Sequence, residues 1–306
     1  MPDSAPEDPT PRAADSSKKR TFARRLLSTL ILWASFGTAF YLAWQWLFVS
    51  LLAVIALAAL LEYFHLFQED RHRRFRSQTV LVATLYLGIL AARAAGLCPD
   101  WLASFDGGAL AALVILIVAS RLRRPLEGLR SLEEITVAVF GFVYIVILLA
   151  FTGKTLLLDL KNASGTAGTA HFYVLYLLMV TKFTDMGAYA IGSLLGRHKM
   201  VPAISPGKTW QGFAGSIAFA FLASYSAIGF FGDKIPLIGP GHAAVLAVIL
   251  ALAAVVGDLA ESILKRSVAT KDSGHFLPGI GGMLDLIDSV LFTAPIFYHY
   301  LLALGA

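Results

Sequence analysis

The 306 residues are 57% hydrophobic and only 15% charged, with a mean hydropathy of +0.71, against roughly 25% charged in a soluble domain. That composition excludes a water-soluble globular fold and predicts an all-α polytopic membrane protein. The formal charge of +5 suits an anionic membrane surface or phosphate-bearing partners, and the single cysteine, Cys98, excludes an intrachain disulfide.

In chain order, residues 1–25 are polar and Pro-rich and read as a disordered cytoplasmic tail. Its basic end, KKRTFARR, imitates a signal peptide. The apolar run behind it lasts about 20 residues, beyond a typical h-region, and lacks a convincing cleavage site, so it reads as a retained span. Nine apolar segments of membrane length are expected, at about 26–44, 46–64, 79–97, 107–120, 134–152, 171–193, 212–231, 242–264 and 283–303, the fourth being short. They divide into N-terminal transmembrane helices over 26–170 and a catalytic transmembrane region over 171–306. With the N-terminus cytoplasmic, the tail and the four inside connections carry 20 Lys and Arg, the outside connections carry Lys154, Lys161 and Lys234, and Arg93 and Lys182 lie within spans. This bias predicts the N-terminus inside and the C-terminus outside. The basic connections at Arg71, Arg73, Arg74 and Arg76, and at Arg121, Arg123, Arg124 and Arg130, read as topology signals that can also hold anionic lipid. No internal repeat of the inverted transporter kind is visible.

The first charged constellation runs from Thr181, TKFTDMGAYAIGSLLGRHKMVPAISPGKTWQG. Lys182, Asp185 and Tyr189 share one helix face. The lysine and aspartate could simply neutralise each other. After them come Gly192, Gly196, Arg197, His198 and Lys199, then Ser205-Pro206-Gly207-Lys208-Thr209, a loop that offers backbone N–H groups and a lysine to phosphate oxygens. Gly207-Lys208-Thr209 is not a P-loop: Pro202 stands where that motif needs glycine, and a membrane helix precedes it instead of a strand. Gly153-Lys154-Thr155 fails likewise, at Leu148. His198 and His275 have no Cys/His partner at zinc spacing and read as solvated.

The second constellation organises the chain. Between the apolar runs 243–256 and 290–304 lies GDLAESILKRSVATKDSGHFLPGIGGMLDLIDS. Asp258, Ser262 and Lys265 fall on one helix face, and Asp285 and Asp288 on another. Ionisable groups set between membrane-length apolar runs are costly and mark a functional site by default. Snorkelling accounts for Lys265 and Arg266, but not for Asp258 two turns deeper, nor for two aspartates one turn apart. Helix ends presenting carboxylates, joined by a basic Gly/Pro-rich loop, suit a divalent cation and a polyphosphate.

At these residues the chain resembles the phosphatidate cytidylyltransferases, or CDP-diacylglycerol synthases. Ser262, Lys265, Arg266, Lys271, Asp272, Pro278, Gly281, Gly282, Asp285 and Asp288 match that family's pattern in order and spacing, with Gly257, Asp258 and Glu261 before them. The earlier block matches at Asp185, Gly187-Ala188-Tyr189, Gly196-Arg197 and Ser205 to Thr209. Together the blocks cover about the C-terminal 110 residues; the rest matches only as apolar spans. Ile280 stands where the family has histidine, Leu286 where it has arginine, and Gln211 where glutamate is usual. The carboxylates are all kept, which favours an active enzyme over an altered paralogue.

The resemblance implies transfer of the cytidylyl group of CTP to phosphatidate, giving CDP-diacylglycerol and pyrophosphate. Such chemistry is mostly positioning and charge neutralisation. Mg²⁺, with room for a second cation, suits it because it takes carboxylate and phosphate oxygens while keeping several waters. Asp258, Asp285 and Asp288 are the expected metal ligands, and with Lys265 the expected catalytic set. Asp185, Arg197, Ser205, Lys208, Thr209, Ser262, Arg266, Lys271 and Asp272 are the expected substrate contacts. The missing arginine leaves Lys271 and His275 as the candidates to replace its charge. The expected partners are CTP, phosphatidate and membrane lipids; a homodimer is allowed and nucleic acid is not expected. The expected location is the cell (inner) membrane, with the active site facing the cytoplasm. Three other readings stay open. An ion-coupled transporter usually places its carboxylates at the midplane on broken helices. A CDP-alcohol phosphatidyltransferase needs its aspartates at i, i+4. A CTP-dependent lipid kinase is the third.

Overall fold

The structure, a computed structural model, describes residues 37–306 except residues 39, 68, 100–104, 124, 126, 162, 166–168 and 271–281. An apolar run in lipid finds no water for its backbone and must bond within itself, so the apolar segments become helices. Eight are described: α1 (Gln45–Leu66), α2 (Arg76–Ala94), α3 (Asp106–Arg121), α4 (Leu129–Leu156), α5 (Ala170–Leu195), α6 (Trp210–Phe231), α7 (Pro240–Ser267) and α8 (Met283–Ala303). Seven are long and apolar enough to cross a membrane, which makes the chain a multi-pass membrane protein. The exception, α3, has 16 residues; at 1.5 Å per residue it reaches about 24 Å, short of a ~30 Å hydrocarbon core. Eight of the predicted segments coincide with these helices, and the first, 26–44, lies largely outside the described residues.

Helix α8 is the hub, packed against α1, α4, α5 and α7, with Leu284, Leu291, Ala294 and Phe297 fully buried. Small residues and polar hydroxyls set its neighbours' distances, because lipid tails give helices little hydrophobic reason to associate. Thr181 donates to Thr293 across α5 and α8 at 3.0 Å, and Tyr176 and Ser224 bond across α5 and α6 at 2.5 Å. Where α5 meets α6, a Cβ at Gly215 would stand 2.6 Å from the Gly187 carbonyl oxygen; where α7 meets α8, one at Gly257 would stand 2.6 Å from the Asp288 carbonyl oxygen. At both crossings backbone lies directly against backbone.

Successive helices alternate in direction, as cross-links between their ends show. Glu62, near the end of α1, accepts from the Leu284 N–H at the start of α8 at 3.0 Å. Arg74, after α1, bonds Glu134 at the start of α4 at 2.7 and 3.0 Å. At the opposite end, Lys154 of α4 pairs with Asp106 of α3, and His242 of α7 meets Tyr300 of α8 at 2.9 Å. The connections after α1, α3, α5 and α7 therefore leave from one end of the bundle.

The connection from α5 to α6 departs from the all-helical expectation. It is an antiparallel hairpin of β1 (Lys199–Val201) and β2 (Ser205–Thr209), with Lys199 opposite Thr209 and Val201 opposite Ser205. The cause is local: Pro202 and Pro206 each lack an N–H and bar a helix, so the segment pairs with itself instead. Thr209 then caps α6, its Oγ1 accepting from the Gly212 N–H at 3.1 Å.

The α7–α8 contact generates a prediction. Gly257→Ala must push a methyl group into the Asp288 backbone, so the thermal midpoint in detergent should fall, consistent with an overpacking cost of about 1–3 kcal/mol. An unchanged midpoint would mean that the helices have slack at this crossing.

Candidate active site

Three helices bring their carboxylates to one hydroxyl. Asp185 lies ten residues before the end of α5, Asp258 a similar distance before the end of α7, and Asp288 just inside the start of α8. Because α5 and α7 run toward the end from which α8 departs, all three meet near the same level. Ser289 Oγ stands 3.1 and 3.0 Å from the two Asp185 oxygens, 2.8 Å from Asp258 Oδ1 and 3.0 Å from Asp288 Oδ1. A serine hydroxyl has one proton to donate, so it cannot satisfy three carboxylates. Asp288 and Ser289 are buried, and the side chains of Asp185 and Asp258 are 29% and 26% exposed.

Two lysines face the group. Lys182 Nζ is 3.4 Å from Asp185 Oδ2 and donates to the Leu286 carbonyl at 3.0 Å. Lys208, on β2, is 3.2 Å from Asp258 Oδ2 and donates to the Val255 carbonyl at 3.2 Å, which pins the hairpin to α7. Asp185, Ser205, Gly207, Lys208, Thr209 and Asp258 line a cleft of about 400 Å³ between α5, α6, α7 and the hairpin, a volume suited to a nucleotide-sized ligand.

The other predicted residues occupy different places. Asp285 is separate from the three carboxylates: it pairs with Lys265 and accepts from the Gly282 N–H at 2.9 Å. Lys265 also meets Glu261 at 3.1 Å. Ser262 is half-buried on α7, and Arg197 and Arg266 are exposed at the same end of the bundle. Arg266 Nε lies 3.4 Å from the Ile204 carbonyl, a weak link from α7 to the hairpin. Lys271, Asp272, His275, Pro278, Ile280 and Gly281 lie outside the described residues. Gln211, where the resembled family has glutamate, accepts from the backbone N–H groups of Arg197 and His198 at 3.1 and 3.2 Å and meets His198 Nδ1 at 2.7 Å. It locks the hairpin entrance, and an amide serves that purpose as well as a carboxylate.

Three participants were not singled out as site residues from the sequence. Ser289 directly follows Asp288 but carries no charge to mark it. Glu62 is a buried acid in an otherwise apolar helix, a signal of the same kind as Asp258. Lys182 stands beside Leu286, next to where the family's arginine would start.

The donors around Ser289 are all oxygen, which suits a hard divalent cation. Among the described residues no three His, Cys, Asp or Glu side chains form a ready ligand cage. A Mg²⁺ ion that keeps most of its waters needs only one or two carboxylates directly, so the donor set fits it.

The profile of the cytidylyltransferase family matches residues 23–304. The chain belongs to the cytidylyltransferase family. Among its curated relatives, the phosphatidate cytidylyltransferase of Mycobacterium bovis is 34% identical over 199 residues, 63% of this chain and 61% of that protein. That of Bacillus subtilis is 43% identical over 132 residues, 43% of this chain and 48% of the relative. The uncharacterized protein YnbB of Escherichia coli is 34% identical over 170 residues, 56% of this chain and 54% of the relative. The chain thus spans about half to three-fifths of the length of these relatives. Cytidylyltransferase membership accords with a carboxylate cluster and a lysine-bearing hairpin at one cleft.

Proposed function

We propose that this protein transfers the cytidylyl group of CTP to phosphatidate, releasing pyrophosphate and forming CDP-diacylglycerol at the membrane. The observation that carries the reading is the convergence of Asp185, Asp258 and Asp288 on Ser289 beside the cleft walled by Lys208. Family membership and the names of the relatives support it.

In the reaction a phosphate oxygen of phosphatidate bonds to the α-phosphorus of CTP. The bond from that phosphorus to the α,β-bridging oxygen breaks, and pyrophosphate leaves with the electron pair. Two polyanions must approach, so the chief task is charge neutralisation. Asp185, Asp258 and Asp288 would hold Mg²⁺, which supplies positive charge against the triphosphate and the developing pyrophosphate. Lys208 exchanges Asp258 for a phosphate oxygen, and the hairpin backbone at Ser205, Gly207 and Thr209 borders the same cleft. The phosphomonoester of phosphatidate is already ionised near neutral pH, so no strong general base is required. Lys265, Arg266 and Arg197 add positive charge at the mouth, where Asp285 orients Lys265.

The same reading puts this end of the bundle in the cytoplasm of the inner membrane. Arg73, Arg74, Arg121, Arg123, Arg130, Arg197, Lys199, Lys208, Lys265 and Arg266 belong to it, whereas Lys154, Lys161 and Lys234 belong to the other. With 26–44 as a further span, and α3 crossing despite its length, nine spans put the N-terminus inside and the C-terminus outside.

The test is purified protein in detergent with labelled CTP, phosphatidate and Mg²⁺, followed by lipid extraction: label should enter the organic phase, and label that stays aqueous overturns the reading. Asp185→Asn, Asp258→Asn and Asp288→Asn should each lower turnover about 100-fold or more in folded protein, by analogy with losing one electrostatic partner of a transition state. Asp285→Asn should cost less, since it removes one of the two carboxylates on Lys265 and leaves the cluster intact. Near-normal turnover in any of the first three removes that residue from the site. For topology, a reporter fused after Ala306 should read as extracytoplasmic and one inserted between residues 268 and 282 as cytoplasmic; a cytoplasmic C-terminus contradicts the nine-span arrangement.

A further inference from the structure

Helix α4 changes register near its middle: residues Phe142–Ile147 form a π-helical segment inside Leu129–Leu156. Such bulges leave backbone bonding less regular, cost stability and recur at functional sites. The segment begins just after Gly141, which lies against the Tyr63 ring of α1. Within it, Tyr144 points toward α8. Its ring stacks on Phe140 at 5.2 Å and meets Phe292 edge-on at 6.3 Å. Phe292 is four residues after Asp288, on the same face of α8 and one turn above it.

Tyr144 is only 5% exposed, and among the described residues its hydroxyl makes no hydrogen bond. A buried hydroxyl without a partner costs about 1–3 kcal/mol, whereas phenylalanine would fill the same space at no such cost. The two hydrogen bonds described for Asp288, from the Ser289 N–H at 2.6 Å and the Ser289 hydroxyl at 3.0 Å, both fall on Oδ1. The unpartnered hydroxyl thus belongs to a side chain packed on the face of α8 that carries Asp288, a carboxylate with a second oxygen to offer.

We propose that Tyr144 is a positioning residue for the carboxylate cluster, its hydroxyl donating to Asp288 when that side chain turns to hold a divalent cation. This rests on the reading of the cluster as a cation site. The π-helical register supplies the placement, and the hydroxyl supplies what a ligating carboxylate ordinarily has, a partner that fixes its orientation. Ser289 cannot do this alone, because its proton is shared among three acceptors. Tyr144 touches neither the cleft nor a substrate and acts only through Asp288.

The test is a Mg²⁺ titration of the thermal unfolding midpoint in detergent, with no nucleotide or lipid substrate present, for wild type, Tyr144→Phe and Thr152→Val. Thr152 is a second buried, unpartnered hydroxyl on α4, about 12 Å farther along the helix at 1.5 Å per residue, and serves as a control. Tyr144→Phe keeps the ring contacts, so its midpoint without Mg²⁺ should equal or exceed that of wild type. The Mg²⁺ concentration giving half of the stabilisation should rise about 10- to 100-fold, the usual effect of losing a group that orients a ligand, while Thr152→Val leaves it unchanged. The same half-point in Tyr144→Phe as in wild type overturns the proposal and leaves the cation site standing. An equal shift in Thr152→Val also overturns it, by showing a general loosening of α4. A wild-type protein that Mg²⁺ does not stabilise overturns both the proposal and the cation site beneath it.

Discussion

Three carboxylates within hydrogen-bond reach of one serine hydroxyl are the constraint on which the rest of the bundle depends. At a separation of about 5 Å and an effective dielectric of ~20, each ionised pair repels by roughly 3 kcal/mol. Lys182 and Lys208 face two of the three carboxylates, and in the proposed reading a divalent cation would balance the rest. The protein holds this arrangement because α5, α7 and α8 are each fixed by contacts that admit little slack. Gly187 and Gly215 set α5 against α6, Gly257 sets α7 against Asp288 and Ser289, and the Lys208 bond to Val255 ties the hairpin to α7.

The N-terminal helices enter the same account through particular bonds. Glu62 of α1 accepts from the Leu284 N–H, one of the groups a helix start leaves unpaired, so it anchors the turn of α8 that precedes Asp285 and Asp288. Tyr63 donates to the Val137 carbonyl at 2.9 Å, just ahead of the π-helical segment. Arg74 and Arg121 close on the buried Glu134 at 2.7 and 3.9 Å, fixing the start of α4. The family profile covers these helices too, from residue 23, although the residues alone showed them only as apolar spans; their polar contacts hold the two elements flanking the cluster.

Much of this was legible in the residues, and the exceptions have physical causes. Helices were readable because apolar runs in lipid have almost no alternative, and the segment 283–303 agrees with α8 at both ends. The hairpin was hidden by its brevity, although Pro202 and Pro206 already forbade a helix. Asp258 and Asp288 were legible as costly intramembrane charges. Their meeting with Asp185 was not, since helical spacing relates only residues on one helix. The same spacing placed Asp285 beside Asp288, and the structure gives them different contacts: Asp285 sits in the first turn, where the Gly282 N–H and Lys265 claim it, while Asp288 lies one turn deeper against Ser289. Tyr144 had no signature, because a π register follows from packing and not from any pattern of residue types.

The central claim is that the carboxylates of α5, α7 and α8 jointly hold a divalent cation. It is tested most directly by diffraction from crystals grown with Mn²⁺ in place of Mg²⁺, collected at a wavelength where manganese scatters anomalously. The account predicts an anomalous peak among Asp185, Asp258 and Asp288, next to Ser289. A peak between Asp285 and Glu261 instead, or none near Ser289 at saturating Mn²⁺, would contradict it.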